Sequence, residues 1–384
     1  MNNFEFCNPG KVVFGRGGIS RLSTLIPAGS KILIVYGGGS VKKNGVYAQV
    51  IEALKDYPVT EFSGIEANPH YETCMQAVGL AKKEKPDFLL AIGGGSVIDA
   101  TKFIAAAICF EGDPWDILAR GAYVERAIPL GVVLTLPATG SEMNERAVIS
   151  RMSEGKKLNF ATPLVFPRFA VMDPEATYSL PANQVANGVV DSFVHVIEQY
   201  LTYPVNAKVQ DAFAEGLMRV IREEGLKVME DPFNYDIRAN LMWAATNALN
   251  GWIGQGVPQD WSSHRMGYPL TTMFGLAHAE TLAVILPGVM RYMRKEKEER
   301  ILRLGAVIFG IAEGGDTDER VEKTIAALEL FFRDMGLKTR LNEYGITEAD
   351  LDALTAPIDQ LGWRLSEKGH IDTKAARGIL LSRL

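Results

Sequence analysis

Apolar positions in the first half of the chain gather into short unbroken runs at residues 31–36, 88–92, 128–135 and 169–173. Between them lie amphipathic stretches, clearest over 43–56, 70–84 and 97–109. Continuous apolar strands alternating with helices predict a parallel sheet covered on both faces, the doubly wound α/β arrangement that binds nucleotides. After about residue 181 the strand-like runs all but stop, and helical spacing takes over at 183–201, 206–229, 234–254, 277–290 and several later segments. The change falls at Leu180-Pro181-Ala182-Asn183 without a low-complexity linker. Two domains are therefore expected, an α/β dinucleotide-binding domain over 1–181 and an all-helical domain over 182–384, closely packed about a cleft.

Two of the predicted strands run into Gly-Gly-Gly-Ser and then a helix, at Gly37-Gly38-Gly39-Ser40 and Gly93-Gly94-Gly95-Ser96. Glycines let the backbone approach a phosphate and take positive φ, while the next helix offers N–H groups and the positive end of its dipole. Either loop could cradle a nucleotide phosphate, although a tight strand-to-helix turn also calls for glycine and no G-x-G-x-x-G is present. A third segment after a strand, from Leu134 to Glu142, carries Thr135, Thr139 and Gly140, which suit contacts to a ribose or a ring amide.

The helical half carries metal-ligand chemistry. Asp191 and His195 are four residues apart, so a helix puts carboxylate and imidazole on one face, one turn apart. His264 and His278 follow in a stretch that Gly267, Pro269 and Gly275 are expected to break. Three nitrogens and one oxygen, without a thiolate, suit Zn²⁺ or Fe²⁺ in a catalytic site with an open position rather than a closed structural clip. A lone Asp–His pair at this spacing is common on helices that bind nothing. The downstream imidazoles and the nucleotide loops set this pair apart. Glu198, one turn beyond His195, is placed to orient a ligand from behind, and a helix start near His278 favours its neutral imidazole.

With 384 residues, 47% hydrophobic and 22% charged, the chain has the size for two cores and an ordinary globular composition. A formal net charge of −6 leaves no basic excess for nucleic acid or an anionic membrane, so small molecules are the expected partners. Cys7, Cys74 and Cys109 are odd in number and scattered, which argues against a disulfide framework or thiolate zinc site and fits a reducing cytoplasm. The N-terminus lacks the basic start and apolar core of a signal peptide, and no apolar run nears the ~20 residues of a membrane span.

Together, Gly-Gly-Gly-Ser-x-x-Asp-x-x-Lys at 93–102, Thr-x-Pro-Ala-Thr-Gly-Ser-Glu at 135–142 and Asp191-x-x-x-His195 with His264 and His278 resemble the iron-containing, or group III, alcohol dehydrogenases over essentially the whole chain. Residues 36–42, 184–191 and 256–261 are similar to the branch of bacterial butanol dehydrogenases and broad-range NADPH-dependent aldehyde reductases. The resemblance implies hydride transfer between NADP(H) and an aldehyde or primary alcohol, usually by a homodimer. It implies Fe²⁺ or Zn²⁺ on Asp191, His195, His264 and His278, and a pyrophosphate along Gly93, Gly94, Gly95 and Ser96. Asp99, Thr135, Leu136, Thr139 and Lys157 are implied along the cofactor path. Hydride arriving at a carbonyl carbon builds negative charge on its oxygen, which a Lewis acid at the open position is suited to stabilise.

Two departures refine the expectation. Many relatives have a further histidine between the downstream ligands, where this chain reads Gly267-Tyr268-Pro269. Tyr268 could relay a proton, but a phenol pKa near 10 makes it a poorer relay than imidazole, and water is the expected donor. NAD-preferring relatives carry an aspartate at or near the position of Gly39. Here the loop of Gly37, Gly38, Gly39 and Ser40 has none, and Lys42 and Lys43 add positive charge. NADPH is therefore expected over NADH by about tenfold or more.

Other classes use less of the chain. A cyclising synthase of the dehydroquinate type needs several cations about its metal, whereas Arg265 stands here among Val257, Trp261, Tyr268 and Phe274. A nucleotide or metal sensor would bind NADPH without turnover, and a metal hydrolase would leave the dinucleotide loops without a use.

Overall fold

The computed structural model describes all 384 residues, Met1–Leu384. They form two compact units: a sheet unit of Cys7–Pro181 with Pro232–Thr246, and a helical unit of Met1–Phe6, Ala182–Asp231 and Asn247–Leu384. A unit boundary thus falls between Pro181 and Ala182. The assignments of Met1–Phe6 and Pro232–Thr246 are not foreshadowed by any change of composition.

The sheet unit holds β1 (Lys11–Phe14), β2 (Ile32–Tyr36), β3 (Val59–Phe62), β4 (Phe88–Gly94), β5 (Leu130–Leu136), β6 (Arg146–Arg151), β7 (Lys156–Ala161) and β8 (Phe169–Met172). Six run parallel in the order β1-β8-β5-β4-β2-β3, while β6 and β7 form an antiparallel hairpin. Side-chain alternation explains why the central strands read as unbroken apolar runs. Leu33, Val35, Leu89 and Ala91 enter one core with Val97, Phe103 and Ile104, whereas Ile32, Ile34, Phe88, Leu90 and Ile92 enter another with Val46 and Val50.

Strands β1 and β3 and the hairpin escape the apolar-run pattern for physical reasons. β1 and β3 are four-residue edge strands, and β3 has no fully buried side chain. The hairpin buries Ala147, Ile149 and the polar Ser150 among more exposed Arg146, Val148 and Arg151, and turns at Gly155, φ +61°. The helix expected over 43–56 is split at Gly45, φ +83°, into Ser40–Lys43 and Val46–Ala53. The one expected over 234–254 is Tyr235–Ala248, stopping short of Gly251, φ +89°.

Sheet order fixes where a ligand can lie. From β2 the chain moves outward to β3, and from β4 it moves to β5 on the opposite side. The carboxyl ends of the neighbours β2 and β4 therefore flank the point where strand order reverses, which is where open α/β sheets bind ligands. Both Gly-Gly-Gly-Ser segments lie at these two ends.

In the helical unit, the Ala182–Tyr200 helix packs against Lys208–Glu230 and His278–Tyr292, and the last of these pairs with Ser262–Phe274. The break expected at Gly267 and Pro269 does not occur. The helix runs through both and stops at Gly275, φ +71°. A Cβ on Gly267 would lie 2.4 Å from Thr281 Oγ1, so glycine there permits the close helix–helix approach that brings His264 toward His278. No helix is long and apolar enough to cross a membrane.

Candidate metal centre and nucleotide loops

Four side chains from three helices of the helical unit meet. Asp191 and His195 lie on Ala182–Tyr200, His264 is in the first turn of Ser262–Phe274, and His278 opens His278–Tyr292. Their candidate ligand atoms all lie within 4.8 Å of one another. The Nε2 atoms of His195, His264 and His278 stand 3.5, 3.9 and 3.6 Å from Asp191 Oδ1. These separations exceed a hydrogen bond. They approach the spacing of about 3.4 Å expected between atoms bound at ~2.1 Å to one tetrahedral ion. Asp191 is 4% exposed, His195 4% and His264 7%, while the His278 side chain is 25% exposed, so the cluster is buried on three sides and open at His278. A three-imidazole, one-carboxylate set at this spacing fits a divalent transition metal.

Glu198 braces His264 rather than its own neighbour His195. One carboxylate oxygen is hydrogen-bonded to His264 Nδ1 and the other accepts from Ser263 N at 2.7 Å. A carboxylate accepting from Nδ1–H fixes the tautomer whose Nε2 lone pair faces the cluster. Burial, then the nearby Asp260, pushes the Glu198 carboxyl well above the usual range, with Ser263 and Lys297 pulling the other way. A divalent charge on the far side of the imidazole would favour the carboxylate form. Substituting Glu198→Gln is expected to weaken metal binding by about 10- to 100-fold, read by competition with a chromogenic chelator. Unaltered affinity would remove Glu198 from the site.

Behind this contact lies a buried ion cluster that no spacing in the sequence announces. Lys297 Nζ donates to Asp260 Oδ2 at 2.6 Å and to Leu201 O at 2.6 Å, and pairs with Glu367 Oε2 at 3.0 Å. Asp260 N in turn donates to Glu198 O at 2.8 Å. Burial works against the Lys297 ammonium, but Asp260 and Glu367 outweigh it and hold its pKa above the ordinary value. Its charge is thus matched by carboxylates, while Arg265 is exposed, 5.6 Å from the Trp363 ring. Neither supplies the cation cluster that a synthase with an acidic substrate needs. Tyr268 is half-buried, its ring 6.4 Å from that of Trp363, and Trp261 stands 5.2 Å from the His264 ring.

In the sheet unit the reason for the second glycine triplet differs from expectation. None of Gly93, Gly94 and Gly95 has positive φ. They are excluded from carrying side chains by close approach: a Cβ would meet Val97 Cγ2 at 2.6 Å, Leu136 Cβ at 2.9 Å and Thr139 Cγ2 at 2.4 Å, respectively. That packing brings Leu136 and Thr139 against the start of the Gly95–Cys109 helix, whose N-cap has no side-chain hydrogen bond. Thr135 is buried at the end of β5. Positive φ belongs to the first triplet, at Gly39, φ +92°. Gly37 comes within 3.2 Å of Ile65 O at its Cβ position, Gly38 faces open space, and Ser40 begins a short helix.

Asp99 has both oxygens committed to the protein, one accepting from Ser141 Oγ at 2.6 Å and the other from Val148 N at 2.9 Å. It is a brace for the 137–148 segment. Lys157 Nζ donates to Asn68 Oδ1 at 2.7 Å, and Asn68 N donates to Ser96 Oγ at 3.2 Å. Asn68, at φ +56°, is thereby tied to the glycine loop, and only the turn-forming Asn68-Pro69 pair marks it in the sequence.

Comparison with known proteins places the chain in a family. Residues 9–174 match the family described as iron-containing alcohol dehydrogenase, and residues 185–358 match the C-terminal part of the Fe-containing alcohol dehydrogenase family. The chain belongs to the iron-containing alcohol dehydrogenase family. It is 51% identical over 383 residues to the NADPH-dependent aldehyde reductase YqhD of Escherichia coli, covering 99% of each chain. The crystal structure of that E. coli protein aligns with a TM-score of 0.98 at 50% identity, over 100% of this chain and 99% of the other. NADH-dependent butanol dehydrogenase A from Thermotoga maritima aligns with a TM-score of 0.95 at 35% identity, over 100% of this chain and 99% of its own.

Proposed function

We propose that this protein is a metal-dependent oxidoreductase that transfers hydride between NADP(H) and an aldehyde or primary alcohol, working chiefly as an aldehyde reductase of the butanol dehydrogenase type. The observation that carries the reading is the convergence of three imidazole Nε2 atoms on one oxygen of Asp191 in a chain of this family. The E. coli relative's dependence on NADPH and action on aldehydes support the cofactor and substrate class. A divalent ion there, Fe²⁺ or Zn²⁺, would polarise the substrate carbonyl, and a reduced nicotinamide would supply the hydride.

The chain's own residues do the rest. Asp191, His195, His264 and His278 hold the ion, and Glu198 keeps His264 turned inward. Backbone N–H groups at Gly95 and Ser96 receive the pyrophosphate, with Asn68 and Lys157 fixing Ser96 from the side. Thr135, Leu136 and Thr139 line the path beyond. Tyr268 packs beside Trp363, and water delivers the proton. Residues 1–181 carry the dinucleotide chemistry and 182–384 the metal chemistry, in a cytoplasmic homodimer whose assembly state sedimentation would report. A turnover screen with NADPH against short, long and aromatic aldehydes, after reloading separately with Fe²⁺ and Zn²⁺, tests the reading. Metal-dependent oxidation of NADPH supports it; stoichiometric NADPH binding with no turnover on any aldehyde would refute it.

Cofactor choice gives a further expected result. NADPH should exceed NADH by at least about tenfold in kcat/KM, and Gly39→Asp should narrow or reverse the ratio. Because Gly39 is left-handed, any side chain there is strained. Gly39→Asn, which carries the same strain without the charge, is the control. Equal use of both cofactors by the unaltered enzyme would refute the preference.

A further inference from the structure

The sequence places no acid in the Gly37–Gly39 segment, yet folding brings one to Tyr36 and Lys42 on either side of it. Glu61, on edge strand β3 opposite Ile34 of β2, pairs with Lys42 Nζ at 2.9 Å. The same carboxylate accepts from Tyr36 OH at 2.8 Å and from Tyr47 OH. Lys42 Nζ lies 4.5 Å from the centre of the Tyr47 ring and 5.2 Å from that of Tyr36. The cluster is open to solvent on one side, with the Lys42 side chain 46% and that of Glu61 33% exposed. Partial burial raises the Glu61 pKa, but hydrogen bonds from Tyr47, Lys42 and Tyr36 outweigh it and hold the carboxyl below its usual range. Both partners are therefore charged at neutral pH, and their charges cancel.

Their position gives the cancellation a consequence. A dinucleotide with its pyrophosphate on the loop after β4 would extend its adenosine across the reversal point toward the end of β2, where Gly39, Ser40 and Lys42 stand. Dinucleotide-binding sheets use an acid beside the adenine ribose to accept from its hydroxyls and repel a 2′-phosphate. Glu61 brings an acid to this end of the sheet, and its charge is matched by Lys42.

We propose that Glu61 is a specificity-determining residue for the cofactor: by holding Lys42 it limits the attraction for a 2′-phosphate, so the chain discriminates less sharply between NADPH and NADH than Lys42 alone would allow. The inference rests on the NADP(H) reading above. Chains of this family could shift preference by altering the strand β3 partner while leaving the glycine loop unchanged.

The test uses full-length protein and two probes that differ only in the phosphate, adenosine 2′,5′-bisphosphate and adenosine 5′-monophosphate, titrated in competition with bound NADPH fluorescence. Glu61→Gln, which keeps an acceptor for the tyrosines, should tighten the bisphosphate by about five- to tenfold with the monophosphate held within about twofold. Lys42→Met should weaken the bisphosphate by about tenfold. The double variant should match Lys42→Met, because Glu61 acts through Lys42. An unchanged bisphosphate-to-monophosphate ratio in Glu61→Gln, or additive effects in the double variant, would overturn the inference while leaving the NADP(H) reading intact. Failure of the unaltered protein to bind NADPH would overturn that reading and the inference with it.

Discussion

Replacing His264 with alanine should strip most of the bound metal and lower aldehyde reduction by about a thousandfold or more, equivalent to about 4 kcal/mol of lost transition-state stabilisation. The change removes one of three imidazoles from a mostly buried cluster and leaves the carboxylate of Glu198 facing a void. The structure holds the His264 ring through Glu198 on one side and the Trp261 ring on the other. Metal content by atomic emission and turnover on a short aldehyde are read on the same preparation. A variant with full metal and full activity would remove His264 from the centre.

The second large effect is on stability. Lys102 is fully buried, and its ammonium donates to Ser141 Oγ at 2.8 Å, Asn144 Oδ1 at 3.1 Å and Arg146 O at 2.8 Å. Burial pushes its pKa down to about 8, with Asp99 and Glu142 holding it up. The ammonium is thus mostly charged at neutral pH and is the counter-charge for two carboxyl groups whose own pKa values burial raises. Lys102→Met keeps the volume but removes the buried cation that both carboxyl groups share, leaving only Lys157 to act on Asp99, which should destabilise the chain by about 3 to 5 kcal/mol. A fall in the urea midpoint with an unchanged slope is the expected signature. Because Asp99 and Lys102 together hold the 137–148 segment to the Gly95–Cys109 helix, NADPH affinity should fall as well. Unchanged stability would show that the cluster tolerates loss of its cation.

Much of this was legible in the chain. The central strands announce themselves because both faces are buried, and the Asp191–His195 spacing announces a shared helix face. The ligand-bearing helices Ala182–Tyr200 and His278–Tyr292 lie within two residues of where their periodicity puts them. What escaped depended on contacts between segments far apart in sequence. Gly267 reads as a helix breaker, yet it serves a close helix crossing against Thr281. Gly93, Gly94 and Gly95 read as conformational freedom, yet they answer to Val97, Leu136 and Thr139. Lys42 reads as a charge waiting for a phosphate until β3 delivers Glu61, and Lys297 gives no sign of its partners Asp260 and Glu367. Local spacing reveals residues that share an element; a partner supplied by another element is visible only in the fold.

Under the proposed function, Asp191, His195, His264 and His278 hold a catalytic ion that hydride transfer requires. The most direct test is a metal titration of chelator-stripped enzyme, following NADPH oxidation with a short aldehyde. Turnover should be negligible in the stripped protein and recover to saturation at one ion per chain, as expected of a single four-ligand cluster. Full turnover by the stripped enzyme, or recovery of equal size in the His264→Ala variant, would contradict that function.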